Sequence, residues 1–286
     1  MSLIGRSLVR DRVMRLYFLG SLVLALPYFV PLLTPSALEF YGGTVSELIL
    51  LSGALAVFLS RRHASVDAAE RRFLGFIALA QGLWLTQKTV RWLELVPVTV
   101  ASAFAEDCLL VGFYLALAVA VLLGPEVGVR APRFGPRRVV DLLGTVVFAL
   151  GLLAYFSGVP LVKNPELYLS NLPSMALLCS LDLLLMLRLA WALRHARAGR
   201  GRAVFGCLLV TSILWFVTDF AETLLYAGVL PALPSGTPWD FVWWLPFLTL
   251  VAAGRLGDPA LHLGTDPSMV PPATDHSAAE SSLSDG

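Results

Sequence analysis

The stretch from 211 to 226, Thr-Ser-Ile-Leu-Trp-Phe-Val-Thr-Asp-Phe-Ala-Glu-Thr-Leu-Leu-Tyr, decides how the rest of the chain is interpreted. It lies inside a long apolar run that only a membrane-spanning helix accommodates, yet it contains two carboxylates. A carboxylate in hydrocarbon costs about 3 kcal/mol or more, so it needs a partner or a hydrated cavity, and it marks a candidate functional site. At helical spacing one stripe carries Thr211, Trp215, Asp219, Glu222 and Tyr226, so the polar groups share a face.

The composition excludes a water-soluble globular domain. Hydrophobic residues make up 57% of the 286 residues and charged residues only 14%, whereas soluble domains carry about a quarter charged residues. All three cysteines, Cys108, Cys179 and Cys207, fall within apolar runs, so neither a disulfide framework nor a paired-cysteine metal site is predicted. The abundance of Arg, Ala, Gly and Leu is typical of a GC-rich bacterial genome.

Apolar stretches long enough to cross a bilayer core of ~30 Å recur eight times, with short connections between them. We therefore predict an all-α polytopic membrane protein, a bundle of eight transmembrane helices. The predicted spans lie near 16–34, 44–60, 73–95, 103–123, 139–158, 170–193, 204–229 and 239–256.

The distribution of basic residues predicts the orientation of this bundle. If eight spans alternate, 18 of the 21 basic residues fall on one side, and the remaining three are Lys88, Arg91 and Lys163. Because basic residues concentrate on the cytoplasmic side, both termini are predicted to be cytoplasmic and the location to be the bacterial inner membrane. Residues 1–15 form a basic cytoplasmic segment and 16–256 the transmembrane domain. Residues 257–286 are acidic and aperiodic, which predicts a disordered cytoplasmic tail.

Charged residues inside the third span point to the same site. Trp84, Lys88 and Arg91 repeat at three and four residues and share a face. Counted at ~1.5 Å per residue, Lys88 and Asp219 both lie about 22 Å from the cytoplasmic ends of their helices. Two arrangements stay open: a pair between them, direct or through Glu222 or water, or a hydrated pocket around Asp219, which we favour. The candidate ligand-binding residues, in the outer half of the bundle, are Lys88, Arg91, Asp107, Trp215, Asp219, Glu222 and Asp240.

A purely structural interpretation stays open for these charges, because interhelical ion pairs and hydrogen bonds also hold bundles together. Two further acids are assigned structural roles. Asp182, in the middle of the sixth span, is expected to bond a neighbouring helix or to be protonated. Asp141 is expected to stabilise the start of the fifth span with Arg137 and Arg138 as local partners.

The absence of sequence motifs narrows the chemistry. The four histidines lie outside the spans or at their edges, so no bis-histidine haem site is predicted, and the last two spans lack the lysine of a retinal Schiff base. No hydrolase, nucleotide-binding or calcium-binding motif is present. We therefore predict no metal, no cofactor and no enzymatic activity. The alternative is a proton-coupled transporter or an aspartate-dependent intramembrane hydrolase using Asp182, Asp219 and Lys88, although the GxGD motif of such hydrolases is missing.

Residues 104–256 resemble the multi-helix membrane sensor regions that precede the catalytic domains of bacterial GGDEF/EAL cyclic-di-GMP proteins and of membrane histidine kinases. The resemblance rests on Glu106-Asp107, the Arg-rich segment leading to Asp141, Ser-Leu-Asp182-Leu-Leu-Leu, and Thr-Asp219-Phe-Ala-Glu-Thr-Leu-Leu-Tyr226. It implies detection of a membrane or periplasmic stimulus and transmission inward. No GGDEF, EAL, PAS or kinase sequence follows Arg255, so the sensor acts on a separate partner, has another role, or derives from a shortened gene.

The function expected from the sequence is that of an integral membrane sensor-like protein with a polar pocket in the outer half of the bundle. The partners expected are the lipid bilayer and a cytoplasmic signalling protein, with a second copy of the chain as a further candidate. Nucleic acid is not an expected partner.

Overall fold

The computed structural model describes residues 11–30, 33–65, 67–92, 99–124, 135–196, 199–231 and 236–256, and these ranges contain helices and turns but no strand. Most of the predicted basic segment and the whole predicted tail, 257–286, lie outside the described residues. The helices are α1 (Arg12–Phe29), α2 (Pro35–Ala64), α3 (Ala68–Trp92), α4 (Val100–Leu123), α5 (Pro136–Leu153, continued by Val159–Lys163), the short α6 (Pro165–Leu169), α7 (Leu172–His195), α8 (Arg200–Tyr226) and α9 (Asp240–Leu256).

An all-helical fold is thus confirmed for the described residues, and a long helix lies at each of the eight predicted spans. Six of these helices, α1, α2, α4, α5, α7 and α8, are long and apolar enough to cross a membrane. The other two differ for physical reasons. Helix α3 carries charged side chains near both ends, and α9 has only 17 residues.

Two predicted boundaries are wrong because a proline and a helix cap mark helix ends that hydropathy does not reveal. Helix α1 ends at Phe29, five residues before the predicted end, and Val30 is extended, as expected for a residue that precedes a proline. Helix α2 begins at Pro35, well before residue 44. The Thr34 side chain caps it by accepting a hydrogen bond from the Ala37 amide at 3.3 Å, and Pro35 occupies the first turn.

Two π-helical turns interrupt the long helices, at Tyr41–Val45 in α2 and Ala154–Gly158 in α5. Such turns widen one helical turn and often occur at functional sites. Gly42 in the first turn allows a close approach, because a Cβ atom there would collide with the Asp240 carboxylate. The second turn carries Ser157, which is fully buried and contacts α4.

The core lies along α2, α3, α4, α7, α8 and α9, each of which packs against the next, and α9 also packs against α2. Its largest fully buried side chains include Phe58, Ile77, Leu181 and Leu250. Helices α1 and α5 lie at the periphery and expose most of their apolar side chains. In a bilayer this is the expected arrangement for lipid-facing helices, since lipid tails are as apolar as leucine.

The chain alternates in direction, so the bundle has two distinct ends. The arginine-rich turns, including Arg61, Arg71, Arg194 and Arg255, lie at one end, which we call the basic end. The other end, which we call the opposite end, holds the start of α4, α7 and α9 and the end of α3 and α8.

Buried ion pairs join helices toward the basic end. Arg61 of α2 pairs with Glu70 of α3 at 3.1 Å, and Glu70 also accepts a hydrogen bond from Ser65 Oγ at 2.7 Å. Arg255 of α9 donates to both carboxylate oxygens of Asp11, at 3.1 and 2.8 Å, and so links the two ends of the described chain.

Asp141 has a partner other than the expected Arg138, and the side chain of the second expected partner, Arg137, lies outside the described residues. The Asp141 carboxylate pairs with Arg188 of α7 at 2.6 Å, and Arg188 also donates to Thr145 Oγ1 at 2.5 Å. The acid joins two helices because its side chain faces α7, a direction that neighbours in sequence do not reveal.

Candidate functional site

A cavity of about 160 Å³ opens at the opposite end, between α2, α3, α4, α7, α8 and α9. It brings together six of the seven residues predicted as ligand-binding from the sequence. These are Lys88, Arg91, Asp107, Trp215, Asp219 and Glu222.

The seventh predicted residue, Asp240, lies in an adjoining cavity of about 200 Å³. Its Oδ2 atom accepts hydrogen bonds from Tyr28 Oη at 2.8 Å and from the Gly236 amide at 2.9 Å. Asp240 therefore ties α1 to the start of α9. The two cavities share lining residues, namely Glu47, Lys88, Glu222 and Trp243.

Both bases of the first cavity have carboxylate partners. Lys88 Nζ lies 3.0 Å from Glu47 Oε2 of α2, and Arg91 Nη1 lies 3.5 Å from Glu106 Oε2 of α4. Of the arrangements left open by the sequence, the direct pair between Lys88 and Asp219 is not the one formed: both residues line the cavity, but the lysine pairs with Glu47. Counting residues along each helix therefore predicted the correct depth of Lys88 in the bundle but not the residue with which it pairs.

Asp107 is held by hydroxyl groups. It is 2% exposed, and its Oδ2 atom accepts hydrogen bonds from Ser157 at 2.6 Å, Tyr168 at 2.7 Å and Ser174 at 3.1 Å. Burial, together with the hydrogen bond to Asp107, raises the pKa of the Tyr168 phenol, so this donor keeps its proton at every physiological pH. Asp107 thus joins α4 to α5, α6 and α7 while also lining the cavity.

Asp182 and Asp219 form a pair of facing carboxyl groups on α7 and α8. They are near enough for each carboxyl group to interact with the other. One turn away, Cys179 Sγ contacts Thr223 Oγ1 at 3.3 Å, which fixes the same register between these two helices. Tyr114 Oη of α4 donates to Asp182 Oδ1 at 2.6 Å, so the expected bond to a neighbouring helix is present.

The carboxyl pair contains an unsatisfied oxygen. Asp182 is 0% exposed, and within the described residues no donor reaches its Oδ2 atom. Its neighbour is another carboxyl group, which brings no proton when ionised. The contact becomes a hydrogen bond only when the pair holds one shared proton.

Aromatic rings form the inner wall of the cavity. Trp84 of α3 contacts Trp215 of α8 edge-on at a ring separation of 5.2 Å and stacks on Phe247 of α9 at 5.4 Å. Phe113 of α4 contacts both tryptophans. At the cavity mouth, Trp243 Nε1 donates to Glu222 Oε1 at 2.7 Å.

Two buried polar atoms of the wall have no partner among the described residues. They are Oε1 of Gln87, which uses only its amide nitrogen toward Glu106, and Nε1 of Trp215. Deeper in the core, both polar atoms of Gln81 and the Ser212 hydroxyl are in the same state. Natural proteins leave few buried polar atoms unpaired, so this concentration along α3 and α8 requires an explanation.

Sequence reasoning missed Glu47, Gln87 and Tyr114 as parts of the site. Glu47 had a usable signal: counted back from the arginine-rich turn at ~1.5 Å per residue, it lies about 25 Å into α2, a depth close to that of Lys88. Gln87 and Tyr114 had none, because a single polar residue on an apolar helix does not reveal which helix it faces.

Among the described residues, no three His, Cys, Asp or Glu side chains come together as metal ligands would. No family model, no curated protein and no solved structure matches this chain. The geometry of the site therefore carries the functional argument alone.

Proposed function

We propose that the chain is an integral protein of the bacterial inner membrane with eight transmembrane helices and both termini in the cytoplasm. Six apolar helices of sufficient length support this proposal, and α3 and α9 pack between them as the remaining two spans. The charges of α3 near the opposite end lie against Glu47 and Glu106, so the helix does not present them to lipid unpaired. The arginines at the basic end would face the cytoplasm.

Reporter fusions test this orientation. A fusion after Gly264 is expected to be active only in the cytoplasm, and a fusion within 159–169 only in the periplasm. The opposite result at either position would overturn the topology.

Within that topology, we propose a sensor-like function in which the cavity at the opposite end binds a small molecule and the helices transmit its occupancy to the basic end. One observation carries this proposal: a cavity that gathers charged and aromatic residues from five helices, with polar atoms in its wall that have no partner in the described part of the chain. Structural ion pairs alone would leave neither a cavity nor unpaired atoms. The resemblance of residues 104–256 to bacterial sensor regions agrees with it.

Continuous helices provide the route to the basic end. Helix α8 has 27 residues and extends about 40 Å from the cavity to the arginine-rich turn. Its neighbours α7 and α9 also line the cavity at one end and reach the basic end at the other. A separate cytoplasmic signalling protein would receive the change there.

Hydrogen exchange tests whether the two ends are coupled. Ala103→Phe fills the cavity from α4, whereas Ala101→Phe places the same ring on an exposed position of the same helix. A sensor predicts altered amide exchange in the 61–72 turn for the first variant and not for the second. Changes confined to the opposite end would contradict transmission.

The carboxyl pair favours a second candidate, a proton-coupled transporter. Facing carboxyl groups in a membrane bundle are typical of proton relays. An aspartate-dependent hydrolase is less well supported, because Asp182 is fully buried and a substrate bond does not reach both carboxyls. Vesicles loaded with a pH-sensitive dye separate the remaining two functions. A transporter moves protons when a ligand gradient is applied and loses this flux in Asp182→Asn, whereas a sensor gives no flux above protein-free vesicles.

A further inference from the structure

We propose that the cavity binds a small organic ammonium ion through Asp219 and Glu222, and that binding displaces the proton that Asp219 shares with Asp182. The inference rests on the proposed ligand-binding function and identifies the chemical class of the ligand.

The charge balance of the cavity is the first argument. Acidic side chains outnumber basic ones by five to two among its lining residues. Each base is already paired, Lys88 with Glu47 and Arg91 with Glu106. Within the described part of the chain, Asp219 and Glu222 have no basic partner at salt-bridge distance. An anionic ligand would meet these two carboxylates, whereas a cation would neutralise them.

The aromatic wall is the second argument, and it favours an organic cation over a metal ion. The faces and edges of Trp84, Trp215 and Trp243 surround the same space as the two acids. Tryptophan is the aromatic side chain that binds ammonium groups best. A metal ion would instead need several oxygen, nitrogen or sulfur ligands at one point, which the described residues do not gather.

Size and hydrogen bonding give the third argument. A volume of about 160 Å³ corresponds to about five water molecules, which exceeds a bare ion and suits a compact amine. Gln87 Oε1 is a buried acceptor without a partner in the described residues, and it would accept from an N–H or O–H group of the ligand. The wall thus offers charge, ring faces and an acceptor together.

The pair of carboxyl groups, Asp182 and Asp219, accounts for the charge balance of the site when no ligand is bound. Four other titratable groups surround the carboxyl pair: Tyr114 of α4, Cys179 of α7, Glu222 of α8 and, more distantly, Lys88 of α3. With the cavity empty of cation, one proton held between Asp182 and Asp219 removes their mutual repulsion. When an ammonium ion binds in the cavity, the O–H bond breaks, the proton leaves to cavity water, and the cation becomes the counter-ion of the Asp219 carboxylate, which lines the cavity.

Calorimetric titration of the full-length protein in phosphatidylglycerol nanodiscs tests this inference. The probes are choline and its uncharged carbon analogue dimethylbutanol, which has the same shape. We expect choline to bind at least tenfold more tightly than dimethylbutanol. Titration in two buffers of different ionisation heat is expected to show release of about one proton per choline at neutral pH. The affinity for choline should therefore fall as the pH is lowered.

Variants assign the effect to the cavity. Asp219→Asn and Glu222→Gln are each expected to weaken choline binding at least tenfold. Glu166→Gln, which removes an exposed acid of α6 outside the cavity, should leave binding unchanged. Asp182→Asn keeps the cavity acids and should still bind choline, but without proton release. Two independent acid variants keep the test decisive if one of them folds poorly.

Three results distinguish the ways in which the inference fails. Equal binding of choline and dimethylbutanol would overturn the ammonium assignment and leave a ligand-binding cavity. Choline binding that survives both acid variants would overturn the assignment of the site. If neither probe binds and acrylamide fails to quench the cavity tryptophans, the proposed ligand-binding function falls as well.

The ammonium group could belong to a free solute or to a lipid headgroup. Repeating the titration in phosphatidylcholine nanodiscs separates these sources. A site open to lipid would already be occupied, and the choline signal would disappear. A site for a free solute would keep it.

Discussion

The basic end and the cavity at the opposite end differ in how their charged side chains are compensated. Toward the basic end the buried acids Glu70 and Asp11 meet Arg61 and Arg255, and the more exposed Asp141 meets Arg188. In the cavity, acids outnumber bases, two carboxyls face each other, and polar atoms lack partners among the described residues. The first pattern is that of a structure held together, and the second is that of a site awaiting a ligand.

This difference separates charges that stabilise from charges that function. Removing one member of a satisfied buried pair leaves an uncompensated charge and is costly. Removing one member of an excess of like charges costs little, because repulsion disappears with it. Stability measurements on matched variants therefore test whether the two ends differ in this way.

The largest effect is expected at the basic end. Arg61→Met leaves Glu70 buried without its cation and should lower the free energy of unfolding by about 3 kcal/mol, measured by denaturant titration in mixed micelles. Arg62→Met, at the exposed neighbouring position, is the control and should change it by less than about 0.5 kcal/mol. A loss at Arg61 no larger than the control would show that the pair does not hold α2 to α3.

A smaller loss is expected at Asp107, the cavity acid that is fully satisfied. Asp107→Leu deprives three hydroxyl groups of their acceptor and should cost about 2 kcal/mol in the same titration. Glu106→Gln alters the adjacent, more exposed acid and should cost less than about 1 kcal/mol. If both variants were equally stable, Asp107 would belong with the functional acids.

A double-mutant cycle tests which acid Lys88 meets. Lys88→Met and Glu47→Leu should show a coupling of about 1 kcal/mol, because the two side chains lie 3.0 Å apart. Lys88→Met and Asp219→Leu should be additive within about 0.5 kcal/mol. Coupling only in the second cycle would restore the direct pair that the sequence left open.

The helices could be predicted from the sequence because each is long, apolar and bounded by charged or proline-containing turns. The same reasoning placed Lys88, Arg91, Asp107, Trp215, Asp219 and Glu222 at one level, and the structure gathers them around one cavity. Helical periodicity and depth are local properties, so a single sequence contains them.

Pairing could not be predicted in the same way. Whether Lys88 meets Glu47 or Asp219, and whether Asp141 meets Arg188 or a local arginine, depends on which helices are neighbours and how each is rotated. The π-helical turns shift that rotation further, because one extra residue in a turn moves every later side chain around the helix axis.

A pH-dependent effect of less than about 1 kcal/mol is expected at Asp11. Burial raises the pKa of its carboxyl. The hydrogen bonds from Arg255 and from the Met14 amide, together with the positive charge of Arg255, outweigh burial and lower the pKa below the usual value of 3.8. The ionised form is therefore favoured by folding, and its contribution is full above pH ~4 and lost as the pH falls through the lowered pKa. Asp11→Asn should destabilise at pH ~7 and not at the lowest pH at which the protein stays folded. A pH-independent loss would contradict this.

Thermal melting of Asp219→Asn, with and without choline, tests the central claim most directly. That claim is that the cavity acids without a basic partner among the described residues serve function rather than stability. Without choline the variant should melt within about 2 °C of the wild-type protein, because it loses one of two facing carboxyls. The rise in melting temperature that choline gives the wild-type protein should be absent from the variant. A variant that melts much lower without choline, and whose choline response is intact, would contradict the account.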